Sequence, residues 1–138
     1  IRISDHGEWR HLHWNAIASA YGSSPFFEYY QDDIRPFFEK RYTFLLDFNE
    51  AIRQTLCELI GFEPHGEYTD QDAQPAPGEA DLREAIHPKR NIAETIPSMH
   101  LKPYYQVFAP KYGFLPDLSI LDLLMNMGPE SILILKES

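Results

Sequence analysis

Tyr112-Gly113-Phe114-Leu115-Pro116-Asp117-Leu118-Ser119-Ile120-Leu121-Asp122-Leu123-Leu124-Met125-Asn126-Met127-Gly128-Pro129 is the most hydrophobic segment of the chain and the best punctuated. Ser119 is a helix N-cap residue, and Asp122, three positions on, is placed to reach back to the N–H of the cap in a capping box. Gly128 supplies a left-handed stop, and Pro129 cannot continue the same helix. Between these signals the residues are apolar on nearly every side, which predicts a helix over 119–127 with other elements packed around it.

Outward from this hub, the same grammar recurs. Asp5-x-x-Glu8 reads as a second capping box, with Gly22 as its stop. Between them Trp9, Leu12, His13, Ala16, Ile17, Ala20 and Tyr21 recur at three- and four-residue spacing and predict one buried face, with His13 in its middle, Trp14 at its edge and His11 on the solvent side. Ser24-Pro25 predicts a helix start carrying Phe26, Phe27, Tyr30 and Ile34 inward. Pro36 lies too deep for that helix to run through, so a break is expected near Asp32-Asp33, with Phe37 and Phe38 on a new turn. Asp47-x-x-Glu50 and Gly61 bracket a further helix with Phe48, Ala51, Ile52, Thr55, Leu56, Leu59 and Ile60 inward. Residues 62–103 are rich in proline and poor in apolar residues; Glu79–Ile86 could make two helical turns at most. A short helical piece is expected around Tyr104–Phe108. Ile132–Leu135 reads equally as helix or buried strand. The expected fold is all-α: a single irregular helical domain, residues 1–138, around the buried helix near 119–127, with a long Pro-rich segment.

Composition narrows the function. The chain is 43% hydrophobic and 14% aromatic, which is globular usage. A formal charge of −9 repels phosphate backbones and argues against a nucleic-acid partner. No run approaches the ~18–20 apolar residues of a membrane span. A single cysteine, Cys57, excludes an intramolecular disulfide and fits a reducing, cytoplasmic setting. The opening Ile1-Arg2-Ile3, without a start Met, suggests the C-terminal part of a longer chain. An exposed apolar patch is then expected where the missing segment lay, and a homodimer is one way to cover it.

The chemistry-bearing residues are few. His11 and His13 form an H-x-H pair whose side chains diverge on a helix, so they cannot share a metal, and no other metal pattern is present. No nucleophile elbow, P-loop or dinucleotide fingerprint occurs. His13 on an apolar face reads as a satisfied core histidine or as a pocket acid/base, and Asp122 or Tyr105 is its expected partner. Trp9, Trp14 and Tyr21, with Phe26 and Phe27 following, read as core or as an aromatic ligand wall. Arg83 and Lys89, in the irregular segment, read as surface charges or as a cationic pair for an anion.

Glu8–Tyr21 followed by Ser24-Pro25-Phe26-Phe27, then Asp81-Leu82-Arg83 with Pro88-Lys89, then Tyr105-Gln106 and Phe114–Leu124, together resemble the WbqC-like family. The resemblance implies a bacterial protein associated with surface-polysaccharide biosynthesis, in which transfer of a glycyl or aminoacyl group onto a sugar has been proposed. It implies no cofactor and a sugar or sugar-nucleotide ligand. It marks Trp9, His13, Trp14, Arg83, Lys89, Tyr105, Gln106 and Asp122 as signature positions. In a transferase, His13 and Asp122 would be the catalytic pair, Arg83 and Lys89 would hold an anion, and Trp9, Trp14, Tyr105 and Gln106 would meet the sugar. The alternative is a non-catalytic helical module that binds a partner protein or a small ligand.

Overall fold

In the computed structural model the described residues are 1–69, 74–90, 94 and 102–137. Helix α1 spans Trp9–Tyr21, α2 Phe27–Ile34, α3 Leu45–Ile60, α4 Ala109–Tyr112, α5 Ile120–Met127 and α6 Ser131–Lys136. Short 3-10 turns at His6–Glu8, Arg35–Phe38 and Gly128–Glu130 join or extend them. Among the described residues there is no sheet; the nearest thing is an isolated antiparallel bridge between Arg2 and Phe44. The all-α expectation holds.

The hub helix is where the apolar run predicts it. In α5, Leu123, Leu124 and Met125 are buried, the last two completely. Leu124 and Met125 pack with Phe27, Tyr30 and Ile34 of α2 and Ile60 of α3 to form the core. The Ser119 hydroxyl caps α5 by accepting from the Leu121 N–H at 3.2 Å. The chain leaves α5 at Gly128 with φ +56°, and Pro129 lies in the 3-10 turn Gly128–Glu130 that leads into α6. The ambiguous Ile132–Leu135 run is helical.

Helix α3 follows the sequence closely. Each of its seven predicted inward residues is buried or half-buried. Its C-terminus is a Schellman turn: Gly61, at φ +85°, donates to the Glu58 carbonyl, and the Phe62 N–H reaches back to Cys57. Its start differs. Asp47 and Glu50 lie inside the helix, which begins at Leu45 with Phe44 as an uncapped N-cap residue. Glu50 pairs instead with Arg53.

Three other expectations are corrected. Ser24 does not cap α2; its hydroxyl donates to the Tyr21 carbonyl at 2.6 Å, and α2 begins two residues after Pro25. The break after Ile34 and the turn carrying Phe37 and Phe38 are as expected. The helical piece between Pro103 and Tyr112 is α4, while residues 102–106 form no regular element. Third, α1 is rotated. Its packed stripe is Trp14, Ala18 and Tyr21, not the face through Leu12, His13, Ala16 and Ala20, all of which are exposed. Trp14 stacks near Phe27 and Phe38 at centroid distances of 6.0 and 6.1 Å. Asp5 makes no cap bond; its carboxylate lies 2.8 Å from Arg10.

Residues 74–90 run as turns and irregular chain. Part of the Pro-rich segment, including most of 91–101, lies outside the described residues. At the N-terminus, Ile3 N–H donates to Thr43 and Leu45 N–H to Ile1. Ile1, Phe44, Leu45 and Leu46 there are exposed apolar side chains.

Candidate functional site

Residues 102–106 form no regular element and run beside α5. Tyr104 and Gln106 both turn toward α5, whereas Tyr105 is 55% exposed. Both inward residues meet Asp122. The Tyr104 hydroxyl donates to Asp122 Oδ2 at 2.6 Å, and Gln106 Nε2 donates to the same oxygen at 3.1 Å. Asp122 is 6% exposed, so its expected role as the capping carboxylate of α5 is overturned: it faces inward, away from the Ser119 cap.

Two amides complete the arrangement. Gln106 also grips the backbone of Leu115, donating to its carbonyl and accepting from its N–H, both at 2.9 Å. Asn126, one turn after Asp122, accepts from Val107 N–H at 3.0 Å and donates to the Asp122 carbonyl at 2.8 Å. Between α1, the 106–118 segment and α5 lies a half-open pocket of about 190 Å³. Asp122, Gln106 and Tyr21 contribute its polar edge; Phe108, Leu115 and Leu118 are among its apolar walls.

The phenols are tuned by this setting. Burial, then the charge and hydrogen bonding of Asp122, push Tyr21 up to about 12. Burial and the hydrogen bond to Asp122 push Tyr104 up further. Both stay protonated donors at neutral pH. A phenol whose folded-state value is raised contributes stability below its unfolded value near 10, and that contribution fades as pH rises through the folded value. Stability should therefore fall between pH 10 and 12. In alkaline denaturation followed by circular dichroism, Tyr21→Phe should flatten that fall; an unchanged slope would contradict the coupling.

The other sequence candidates lie elsewhere. His13 is exposed on α1 and meets the edge of Trp9 at a centroid distance of 5.4 Å. Its expected burial and its bond to Asp122 or Tyr105 are overturned, because α1 turns Trp14, not His13, to the core. The Trp9 indole donates to the Ser4 carbonyl at 2.8 Å and packs edge-on to Phe48. Arg83 pairs with Asp81 at 2.6 Å, on a separate shallow depression, and the pairing holds the Asp81 carboxyl down to about 2. Lys89 is exposed. Tyr105 lines a second, open depression with Phe26 and Met127, and Asn126 forms part of the wall of both this depression and the Asp122 pocket. Of the eight signature positions, Gln106 and Asp122 come together. Tyr21, a candidate for an aromatic ligand wall, lines their pocket, and Tyr104, which donates to Asp122, was missed. Two-residue alternation around Gln106 would have favoured Tyr104 over Tyr105. Among the described residues no group of three or more His, Cys, Asp or Glu could hold a metal, and no helix is long and apolar enough to cross a membrane.

Fold and site together define a small helical protein with a pocket floored by a buried carboxylate. The WbqC-like family model matches residues 1–71, half of the chain, and the chain belongs to that family. No curated protein and no solved structure matches it.

Proposed function

We propose that this WbqC-like chain is a non-catalytic binding module that holds a small ligand in the Asp122 pocket. The observation that carries this reading is a concave, mostly apolar cavity with a few convergent polar groups at one edge, the usual form of a ligand site. Against the glycyl- or aminoacyl-transferase reading, the proposed acid/base His13 is not among the pocket's lining residues, nor are Arg83 and Lys89. Transfer chemistry needs its proton carrier within hydrogen-bond reach of the reacting atoms. A role in surface-polysaccharide biosynthesis would then consist of holding a small molecule for another component to use.

The test is a thermal-shift screen of small metabolites with three proteins: wild type, His13→Ala and Ala20→Phe. Ala20 lines the pocket from α1 and makes none of the hydrogen bonds to Asp122, so a phenyl ring there fills the cavity and leaves the network in place. A ligand at ten times its Kd adds about 1.4 kcal/mol, a shift of several degrees. The expected result is a shift in wild type and His13→Ala that disappears in Ala20→Phe. A shift that survives Ala20→Phe and disappears in His13→Ala would overturn the reading.

A further inference from the structure

The chemistry of the pocket goes further than its existence and, resting on the binding reading above, names the class of ligand. Asp122 is a buried carboxylate, and among the described residues no Lys, Arg or His ion-pairs with it. Its neighbours are neutral donors: the Tyr104 phenol, the Gln106 amide and the Tyr21 phenol. Burying a charge without a counter-ion is costly, and neutral donors offset only part of that cost. Yet the carboxylate sits at the wall of an open cavity, where an incoming cation can reach it.

We propose that the pocket binds a primary ammonium group carried on a small apolar or aromatic body, with the ammonium at Asp122. Three features favour this chemistry over its rivals. A polyhydroxylated ligand needs several free polar partners, but the side-chain amides of Gln106 and Asn126 are already engaged, the first with Leu115 and Asp122, the second with Val107 and the Asp122 carbonyl. A guanidinium prefers a two-pronged approach to both carboxylate oxygens, and Oδ2 already accepts two hydrogen bonds. A compact ammonium needs only one exposed face of the carboxylate. A metal ion finds no second carboxylate, His or Cys converging there among the described residues.

Size and field agree. A cavity of about 190 Å³ is of the order that admits a benzene-sized molecule, since ~150 Å³ suffices for one. Phe108, Leu115 and Leu118 supply apolar wall for such a body. The chain's charge of −9 draws cations toward the site and repels anions.

The experiment uses three probes of matched shape: benzylamine, protonated at neutral pH, benzyl alcohol and benzoate. Each is titrated into the isotope-labelled protein while amide signals of the 106–126 region are followed by NMR. The expected result is saturable shifts around Asp122 and Leu118 with benzylamine, binding about tenfold weaker for benzyl alcohol, and no binding of benzoate. Asp122→Asn should abolish the preference for the amine while leaving the weak alcohol binding, and Ala20→Phe should abolish both. If alcohol and amine bind equally, the pocket is a ligand site but the ammonium proposal is overturned. If none of the three probes moves the pocket signals, both the ammonium proposal and the binding reading fall.

Discussion

Gly128→Ala should destabilise the protein by about 2–5 kcal/mol, because two independent costs meet at that residue. Gly128 leaves α5 at φ +56° and ψ −129°, a conformation that residues with a Cβ rarely hold. A Cβ there would also lie 2.5 Å from the ring of Phe26. That ring cannot simply withdraw, because the Phe26 backbone N–H is bonded to the Met125 carbonyl at 3.0 Å and its side chain packs on the core. Gly61 is the internal control. It too has a positive φ, +85°, but no atom lies within 4 Å of its added Cβ. Gly61→Ala should therefore cost only the backbone part, about 1 kcal/mol. Urea denaturation of both variants checks the comparison. Equal losses at the two positions would show that contact with Phe26 contributes nothing.

Asp122→Leu should cost about 2–4 kcal/mol, although leucine branches at the same carbon as aspartate and most of α5 is apolar. The loss arises from the partners: the Tyr104 hydroxyl and the Gln106 amide would keep their donors and lose the acceptor they share, at ~1–3 kcal/mol for each buried group left unpaired. Asp122→Asn keeps a carbonyl oxygen at that position and should cost much less. The pair separates two roles of one side chain. If the asparagine variant folds nearly as well as wild type, the fold needs an acceptor at this position but not a negative charge. If Asp122→Leu is as stable as wild type, the network contributes no stability.

Backbone punctuation was the most legible part of the sequence. Gly61 and Gly128-Pro129 end helices where they are read to end them, since a residue without a Cβ and one without an N–H impose local geometry whatever surrounds them. The α3 face was legible because its apolar residues lie on one side and its charged ones on the other. Helix α1 was not. It carries Trp9 on one side and Trp14 on another, so two faces compete, and the choice between them is made by Phe27 and Phe38, which are distant in sequence. The Asp-x-x-Glu patterns misled for a related reason. Asp47 and Glu50 fit a capping box locally, but the link from Thr43 is already tied to Ile1 and Ile3, and the helix starts earlier. The candidate site was half legible. Gln106 and Asp122 entered through family resemblance, but their contact spans 16 residues of chain, and capping grammar cannot tell an outward carboxylate from an inward one.

Gln106 has one more effect. Its side chain is a primary amide, chemically a short peptide group, and it meets Leu115 through one donated and one accepted bond, as two facing residues of an antiparallel ladder do. The 113–118 loop is thus spliced to the interior by a counterfeit strand made of one side chain. Because this grip is on backbone atoms, it holds the path at Leu115 whatever side chain stands there, while Phe114 anchors the loop separately by its edge-on contact with Tyr104. At Leu115 the lip of the pocket can therefore change its side chain while its path is kept.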